Sequence, residues 1–296
     1  MSDAAKGDNS SRADSVPETI SLDLADLGLA ADTGLETGPS RVRSAVLQIL
    51  LTGSVVLGVA GLWELLSLWD PPFWPEIILS KPSEIGPAFL QAITTGFVWE
   101  NFYVTFQETL IGFFIGAGGG FLLGVYVALS KTFRKAFYPV VILFQSTPRV
   151  ALAPIFISWF GFGITSKYAL AATICFFPVL VNSISGLTLI DENAGLLMRS
   201  LKASRWQTFT QLRLPNAVPT IFAGLKAALT FALIGAIVGE LTAANEGAGH
   251  LIETAAFQFR MDDVFAYLLM LALFGLTLFL LAQALERKIV FWHVET

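Results

Sequence analysis

Residues 109–129, with the sequence TLIGFFIGAGGGFLLGVYVAL, form an apolar stretch that contains no charged side chain. A helix of about 20 apolar residues crosses the ~30 Å hydrocarbon core of a bilayer. Five further stretches of comparable length and apolar character occur at residues 46–68, 136–160, 168–190, 217–240 and 264–285. The sequence therefore predicts an all-α integral membrane protein with about six transmembrane helices.

The composition of the whole chain supports this fold class. The 296 residues are 54% hydrophobic and only 14% charged, and the mean hydropathy is +0.67. A soluble protein carries about 25% charged residues, so lipid must replace water over much of this surface. Residues 44–290 are predicted to form the membrane domain. An acidic, mostly disordered cytoplasmic tail is expected at residues 1–43, and a short cytoplasmic C-terminus at residues 291–296.

Residue types that carry chemistry are scarce. The single cysteine, Cys175, lies in an apolar stretch, and the two histidines, His250 and His293, are far apart in the chain. These counts exclude a disulfide framework within the chain and predict no metal site. Outside the acidic tail the charge is close to neutral, so no face for nucleic acid is expected. We assign no catalytic residue.

The orientation follows from the lysine and arginine residues near the membrane, which are enriched on the cytoplasmic side. With the N-terminus inside, eleven of them fall in cytoplasmic segments. Only Lys81, Lys167 and Arg260 then fall in outside loops. The charge distribution therefore predicts that both termini are cytoplasmic.

The second predicted span carries a row of small residues. Gly112, Gly116, Gly120 and Gly124 follow one another at intervals of four, which places them on one face of a helix. Small residues on such a face let another helix approach closely in a membrane. The partner helix could belong to this chain or to a second copy.

The loop at residues 191–215, DENAGLLMRSLKASRWQTFTQLRLP, is too long for a simple turn and too polar to insert in lipid. We predict a short helix at about residues 194–201 and a second helix with Ser204 as its cap. Pro215 is expected to end that second helix. An apolar stripe on it is formed by Trp206, Phe209 and Leu212. Two such amphipathic helices on the cytoplasmic side fit either the lipid surface or a groove on a partner protein.

Four stretches resemble the permease subunits of binding-protein-dependent ABC importers. They are LSKPSEIGPAF from residue 79, STPRVALAPIFISWFGFG from 146, KASRWQTFTQLRLPNAVPTIFAGLKAAL from 202, and GAIVGE with GAGHLI between 235 and 252. Together with the spans, the resemblance covers roughly residues 45–290. It is strongest to the branch that handles sulfonates, taurine, nitrate and some pyrimidine-type vitamins or precursors. It implies the permease architecture of a type I importer.

The resemblance implies that the loop at 191–215 is the EAA loop, which in the family fits a groove on the ATPase subunit. The implied coupling residues are Leu197, Arg199, Lys202, Ala203, Trp206, Phe209, Leu214 and Pro215. The sequence departs from the family pattern in the first half of the loop. The Glu-Ala-Ala position reads Leu196-Leu197-Met198, and the family glycine is replaced by Lys202. This loop is therefore more apolar and more basic than the pattern.

The resemblance also implies the partners of the chain. They are two ATPase subunits that hold ATP and magnesium, a second permease copy as a homodimer, an extracytoplasmic substrate-binding protein, and the lipid of the bacterial inner membrane. The chain has no Walker A sequence. We therefore expect a transport subunit that is not an enzyme and binds no cofactor of its own.

Polar groups at membrane depth are the candidates for the translocation path, because burying them in lipid is costly. They are Gln145, Ser146, Thr147, Arg149 and Glu240. The first four lie in the least regular span, which Pro148 and Pro154 interrupt. Arg149 could attract an anionic substrate. Alternatively it pairs with Glu240 or caps carbonyls that prolines leave free.

The substrate cannot be derived from these residues alone. A small anion such as a sulfonate, taurine or nitrate fits Arg149 and the resemblance, and a pyrimidine-type or other heterocyclic nutrient is the alternative. A different class, a self-contained secondary transporter, usually shows internal repeats and carboxylates that bind the coupling ion. A membrane enzyme would require a cluster of His, Cys or paired carboxylates. The 25-residue cytoplasmic loop favours the importer subunit.

Overall fold

A computed structural model describes residues 39–68, 79–243 and 245–292, which are helical apart from short connections. Most of the predicted acidic tail, the loop at 69–78 and the last four residues lie outside these ranges. Among the described residues, those from Leu50 onward belong to one compact unit. Every contact described below lies within this unit.

The α-helices of the described ranges are α1 Pro39–Ser67, α2 Pro82–Thr94, α3 Gly96–Leu129, α4 Lys131–Ser146, α5 Ala153–Phe160, α6 Ile164–Thr188, α7 Glu192–Ser200, α8 Arg205–Thr208, α9 Leu214–Ala243, α10 Ala248–Phe257 and α11 Met261–Ile289. A 3₁₀ turn, Arg149–Leu152, precedes α5, and a π-helical segment, Phe209–Arg213, joins α8 to α9. Five helical segments in α1, α3, α6, α8–α9 and α11 are long and apolar enough to cross a membrane. The pair formed by α4 and Arg149–Phe160 qualifies as a sixth, bent by 84°. The predicted all-α class with about six spans is confirmed.

The bend in the third span follows from its prolines. Thr147 ends α4 in an extended conformation, as expected for a residue before proline. After Pro148 the chain makes the 3₁₀ turn, and Pro154 then occupies the first turn of α5. A missing N–H has no cost there, because the first amides of a helix have no partner inside it. The irregularity expected from Pro148 and Pro154 is thus a sharp bend between two helices.

The glycine row of α3 packs against α6 of the same chain. A Cβ at any of Gly112, Gly116, Gly120 or Gly124 would overlap atoms of α6. At Gly124 it would lie 2.6 Å from the Cβ of Ser183. The fully buried thiol of Cys175 lies in the same interface, 3.5 Å from the carbonyl oxygen of Gly112. The structure therefore identifies α6 as the helix that packs closely against the small residues of α3.

The expectation that Pro215 ends a helix is wrong. The helix that begins at Arg205 passes through the π-helical segment and continues as α9, which has Pro215 in its first turn. In the wider π turn the amide of Leu214 bonds to the carbonyl of Phe209, five residues back. An α-helix collides with proline at the carbonyl four residues earlier. That residue is Gln211, which lies within the widened turn.

The helix α3 begins at Gly96, whereas the sequence placed the start of the span at residue 109 and an outer loop before it. The apolar run starts late because polar side chains interrupt the first turns of α3. Three of them, Asn101, Thr105 and Glu108, are buried in the structure. They lie at intervals of four and three residues and so share one face of the helix. Their partners form part of the site described next.

Candidate functional site

A cavity of about 370 Å³ lies at the bend of the third span, where α4 and the 3₁₀ turn face α3 and α6. It is lined by Ile115, Gly116, Phe144, Thr147, Arg149, Leu152, Ala172, Thr173, Phe176 and Phe177. Arg149 is the one charged residue in this lining. An apolar cavity with a single cationic group has the character of a site for a small ligand with one anionic group.

Arg149 is held by α6. Its Nη1 donates to the carbonyl oxygen of Ile174 at 3.0 Å. That carbonyl would bond to the amide of residue 178 in a regular helix, and Pro178 has no N–H to give. The guanidinium carbon also lies 4.8 Å from the centroid of the Phe177 ring, a cation–π contact. Arg149 therefore caps a carbonyl that a proline leaves free, and it makes this contact rather than a pair with Glu240.

The other predicted path residues divide between two places. Thr147 lines the cavity with Arg149, and its hydroxyl donates to the carbonyl of Leu143 at 3.2 Å. Gln145 and Ser146 are exposed and do not line the cavity. Glu240 is fully buried and does not line the cavity, because it belongs to a different set of contacts. The structure thus brings together two of the five candidates.

Glu240 belongs to an outer polar cluster that we define as Asn101, Thr105, Glu108, Lys167 and Glu240. The hydroxyl of Thr105 donates to Glu240 Oε1 at 2.7 Å. The second carboxylate oxygen of Glu240 accepts the amide of Gly249 at 2.6 Å. Both oxygens of a fully buried carboxylate therefore have donors, which offsets much of the cost of removing the charge from water.

The same cluster contains an ion pair that the sequence analysis missed. Lys167 Nζ lies 2.9 Å from Glu108 Oε1, and the side chains are 8% and 0% exposed. Assigning Lys167 to an outside loop was wrong, because it lies in the first turn of α6 and points into the bundle. The sequence feature that could have indicated this ion pair is the polar helix face formed by Asn101, Thr105 and Glu108, because such a face needs polar partners when it is buried.

The cluster also caps the start of α10. The first amides of a helix lack partners inside it, and here side chains from α3 and α9 supply them. The amide of Gly247 donates to Asn101 Oδ1 and that of Ala248 to Thr105 Oγ1, each at 2.8 Å. Gly247 has φ 114°, and a Cβ at that position would overlap the carboxyl group of Glu240. The glycine is required both by its conformation and by this close approach.

On the cytoplasmic side, the predicted coupling loop forms two capped helices. The carboxylate of Asp191 accepts the amides of Asn193 and Ala194 at the start of α7. Ser204 and Gln207 form a reciprocal capping box at the start of α8, with distances of 3.2 and 2.7 Å. Capping of this kind stabilises helices too short to persist alone.

Lys202 connects these two helices in a left-handed conformation, with φ 54°. Its amide bonds to Arg199 and that of Ala203 to Met198, which closes the end of α7. This geometry is the usual reason for a glycine after a helix. It explains in physical terms why the family pattern has glycine at the position that Lys202 occupies here.

The predicted coupling residues separate into exposed and packed groups. Leu197 and Trp206 are 59% and 70% exposed, and Arg199 and Lys202 are also exposed. The partly buried residues are Ala203, Phe209, Leu214 and Pro215. Phe209 and Leu214 pack against the cluster of Ala128, Leu187, Ala217 and Ile221. The loop therefore exposes apolar and basic side chains, while its partly buried residues pack against α3, α6 and α9.

A second cavity of about 980 Å³ opens between this loop and the adjoining ends of α3, α4 and α6. Five of its lining residues are cationic: Lys131, Arg134, Arg199, Arg205 and Arg213. Asp191 and Glu192 also line it. The excess of positive charge favours an acidic partner surface at this face.

Comparison with known proteins agrees with these features. A family model described as a binding-protein-dependent transport system inner membrane component matches residues 116–291. The riboflavin transport system permease protein of Chloroflexus aurantiacus is 36% identical over 222 residues, which cover 75% of this chain and 83% of that protein. The putative aliphatic sulfonates transport permease protein of Bacillus subtilis is 28% identical over 255 residues, covering 86% of this chain and 91% of that protein.

The fold also has a counterpart among solved structures. A chain in the crystal structure of a bacterial ABC transporter involved in the import of the acidic polysaccharide alginate superposes with a TM-score of 0.53. The match covers 84% of this chain and 99% of the other, at 20% identity. At that level of identity the likeness demonstrates the shared fold.

Proposed function

The chain belongs to the family of binding-protein-dependent transport system inner membrane components, and we infer that it carries a small anion through the cavity that Arg149 lines. As a member of the family it is a multi-pass, non-catalytic permease subunit of an ABC importer in the inner membrane. The family, function class and location expected from the sequence are confirmed. The alternative of a self-contained secondary transporter does not hold for such a subunit.

The proposed substrate is a small anion of the sulfonate, taurine or nitrate type. The observation that carries this proposal is the position of Arg149 as the one charged group in a largely apolar cavity lining. A guanidinium has five N–H donors, so its bond to Ile174 leaves several for an anion. The similarity to a putative aliphatic sulfonate permease supports the same class.

A heterocyclic nutrient is the second candidate. The rings of Phe144 and Phe177, which both line the cavity, are nearly parallel with centroids 6.2 Å apart. Aromatic walls of this kind favour a flat ring. The similarity to a riboflavin transport permease supports this candidate.

We further propose that the exposed side chains of the coupling loop dock on an ATPase subunit. Such a permease requires a separate source of energy, and the loop offers apolar contacts from Leu197 and Trp206 beside the basic Arg199 and Lys202. In this proposal two ATPase subunits hold ATP and magnesium, and the chain holds no cofactor. Two copies of the chain form the pathway, and an outside binding protein delivers the substrate.

The substrate proposal is tested in proteoliposomes that contain the chain, its ATPase and its binding protein. Taurine, nitrate and riboflavin serve as separate labelled probes of ATP-dependent uptake. Arg149→Met removes the cation and is expected to lower uptake of an anionic probe at least tenfold, while Arg149→Lys retains part of it. Thermal stability of each variant is measured alongside, because Arg149 also supports α6. Unchanged anion uptake by Arg149→Met would contradict the proposal, and uptake of riboflavin alone would favour the second candidate.

The docking proposal is tested by reversing charge in the loop. The double variant Arg199→Glu with Lys202→Glu is expected to lose co-purification with the ATPase. Lys135→Glu is the control, because Lys135 is an exposed cation on the same side that does not line the 980 Å³ cavity. Equal co-purification of the double variant and the control would show that Arg199 and Lys202 are not part of the docking surface.

A further inference from the structure

The outer polar cluster joins side chains of α3, α6 and α9 to the start of α10, which follows α9 in the chain. Asn101, Thr105 and Glu108 come from α3, Lys167 from α6 and Glu240 from α9, and together they hold the first amides of α10. Thr105 is central, since its hydroxyl donates to Glu240 and accepts from the amide of Ala248. Loss of that hydroxyl would break two links at once.

Two of these helices also lead to the coupling loop. At 1.5 Å per residue, α6 extends for about 32 Å from Lys167 to Thr188, where the loop begins. By the same rise, α9 extends for about 39 Å from Leu214, where the loop ends, to Glu240. The loop and the outer polar cluster are therefore connected by two helices of similar length.

The helices α6 and α9 are in backbone contact along this distance. A Cβ at Gly224 would lie 2.6 Å from the Cβ of Asn182, and one at Gly235 would lie 2.7 Å from the Cα of Ala171. Near the cluster, a Cβ at Gly239 would lie 3.1 Å from the side chain of Lys167. Interfaces packed this closely transmit displacement with little internal adjustment. The α6–α9 pair can therefore move as one body.

The burial of the cluster makes partial separation costly. Pulling Lys167 from Glu108, or Glu240 from its donors, would leave an uncompensated charge in a site with almost no access to water. A buried charge without its partner is strongly destabilising. The cluster is thus expected to stay intact while the helices that it joins move.

We propose that the outer polar cluster fastens α10 to the α6–α9 pair, so that α10 follows the displacement of the coupling loop. Thr105 and Glu240 are positioning residues in this role, since they act through α10 and do not line the 370 Å³ cavity proposed for the substrate. The inference rests on the proposed docking of an ATPase at the loop. It assigns the cluster to the step that links ATP hydrolysis to movement at the outer side.

The chain offers a matched pair of variants for the test. Thr105→Val removes the hydroxyl that links Glu240 to α10 and keeps the shape of the side chain. Thr109→Val is the control: Thr109 lies one turn further along α3, is equally buried, and its hydroxyl has no hydrogen-bond partner among the described residues. Thr105→Ser restores the hydroxyl. Glu240→Gln provides a second way to weaken the link if Thr105→Val does not fold.

Two measurements are made on the complex of permease and ATPase in proteoliposomes. The first is the ratio of labelled taurine taken up to ATP hydrolysed. The second is the ATP-induced change in the spectrum of a spin label at Leu201→Cys in the loop or at Phe257→Cys at the end of α10. Both positions are highly exposed, at 68% and 77%. The second measurement requires no substrate.

For Thr105→Val and Glu240→Gln we expect the loop label to respond to ATP as before, while the α10 label loses its response. Uptake per ATP should fall at least fivefold, and Thr109→Val and Thr105→Ser should match the unaltered complex. An α10 response in Thr105→Val equal to that in Thr109→Val overturns the inference. Absence of a loop response in the unaltered complex instead overturns the proposed docking, so the two failures are distinguishable.

Discussion

The α3–α6 interface makes a quantitative prediction for Gly124→Ala. The new Cβ would lie 2.6 Å from the Cβ of Ser183 and 3.2 Å from the carbonyl oxygen of Leu180. Ordinary contacts of a Cβ begin near 3.4 Å. Both partner atoms are fixed to the backbone of α6, so no side-chain rotation can relieve the overlap. The two helices must separate locally by close to 1 Å.

The change in the free energy of unfolding is the cost of the overlap minus the gain in helix propensity. Overpacking a tight interface costs about 1–3 kcal/mol, and a gap of up to 1 Å forfeits a quarter to a half of the dispersion energy of the atoms it separates. Replacing glycine by alanine within a helix returns about 1 kcal/mol. We therefore expect Gly124→Ala to lower the stability of the fold by up to about 2 kcal/mol relative to the unaltered chain.

The matched control is Gly118→Ala in the same helix, where a Cβ would have no neighbour within 4 Å. This variant should gain up to about 1 kcal/mol from helix propensity alone. Stability is measured by denaturant titration of the chain in detergent micelles. Adding Ser183→Gly to Gly124→Ala removes the overlapping Cβ and should restore part of the loss, as a double-mutant cycle would report. Equal stability of Gly124→Ala and Gly118→Ala would refute the reasoning.

Two further predictions concern the loop and the packing of the last span. Lys202→Val should destabilise the end of α7, because a β-branched side chain is less compatible than lysine with the left-handed conformation of this residue. Lys202→Gly has no Cβ and should be tolerated. Hydrogen exchange at the amide of Ala203, which bonds to Met198, reports the difference. Lys226 lies 2.5 Å from Glu286, with both side chains largely buried. Removing one partner of a fully buried ion pair costs about 3–5 kcal/mol, and Lys226→Met should cost somewhat less because both side chains keep some exposure. Exchanging the two residues should recover thermal stability, and a failure to do so would show that the position rather than the pair matters.

Much of the fold could be predicted because the membrane imposes strong rules on sequence. Length and apolar character were sufficient for the number of spans, and Pro148 and Pro154 marked the irregular one. The family resemblance drew attention to the loop at residues 191–215, and Ser204 was correctly predicted as a helix cap. These features depend on residues close together in the chain, where periodicity and capping preferences act.

The outer polar cluster could not be predicted because its members come from distant parts of the chain. Lys167 and Glu108 are 59 positions apart, and each is consistent by itself with an outer loop. A polar residue near the end of an apolar stretch can face water or a buried partner, and the sequence does not distinguish these. Pro215 was misjudged for a related reason, since a π-helical segment accommodates a proline that an α-helix would reject.

The burial of Cys175 has a practical consequence for kinetic work. Its thiol lies in the α3–α6 interface and has no accessible surface, so a thiol reagent can reach it only when those two helices come apart. Labels on exposed cysteines such as one at position 257 can therefore be introduced without first replacing the native residue. The rate at which a thiol reagent modifies Cys175 then reports how often α3 and α6 separate, and it can be measured in the same sample.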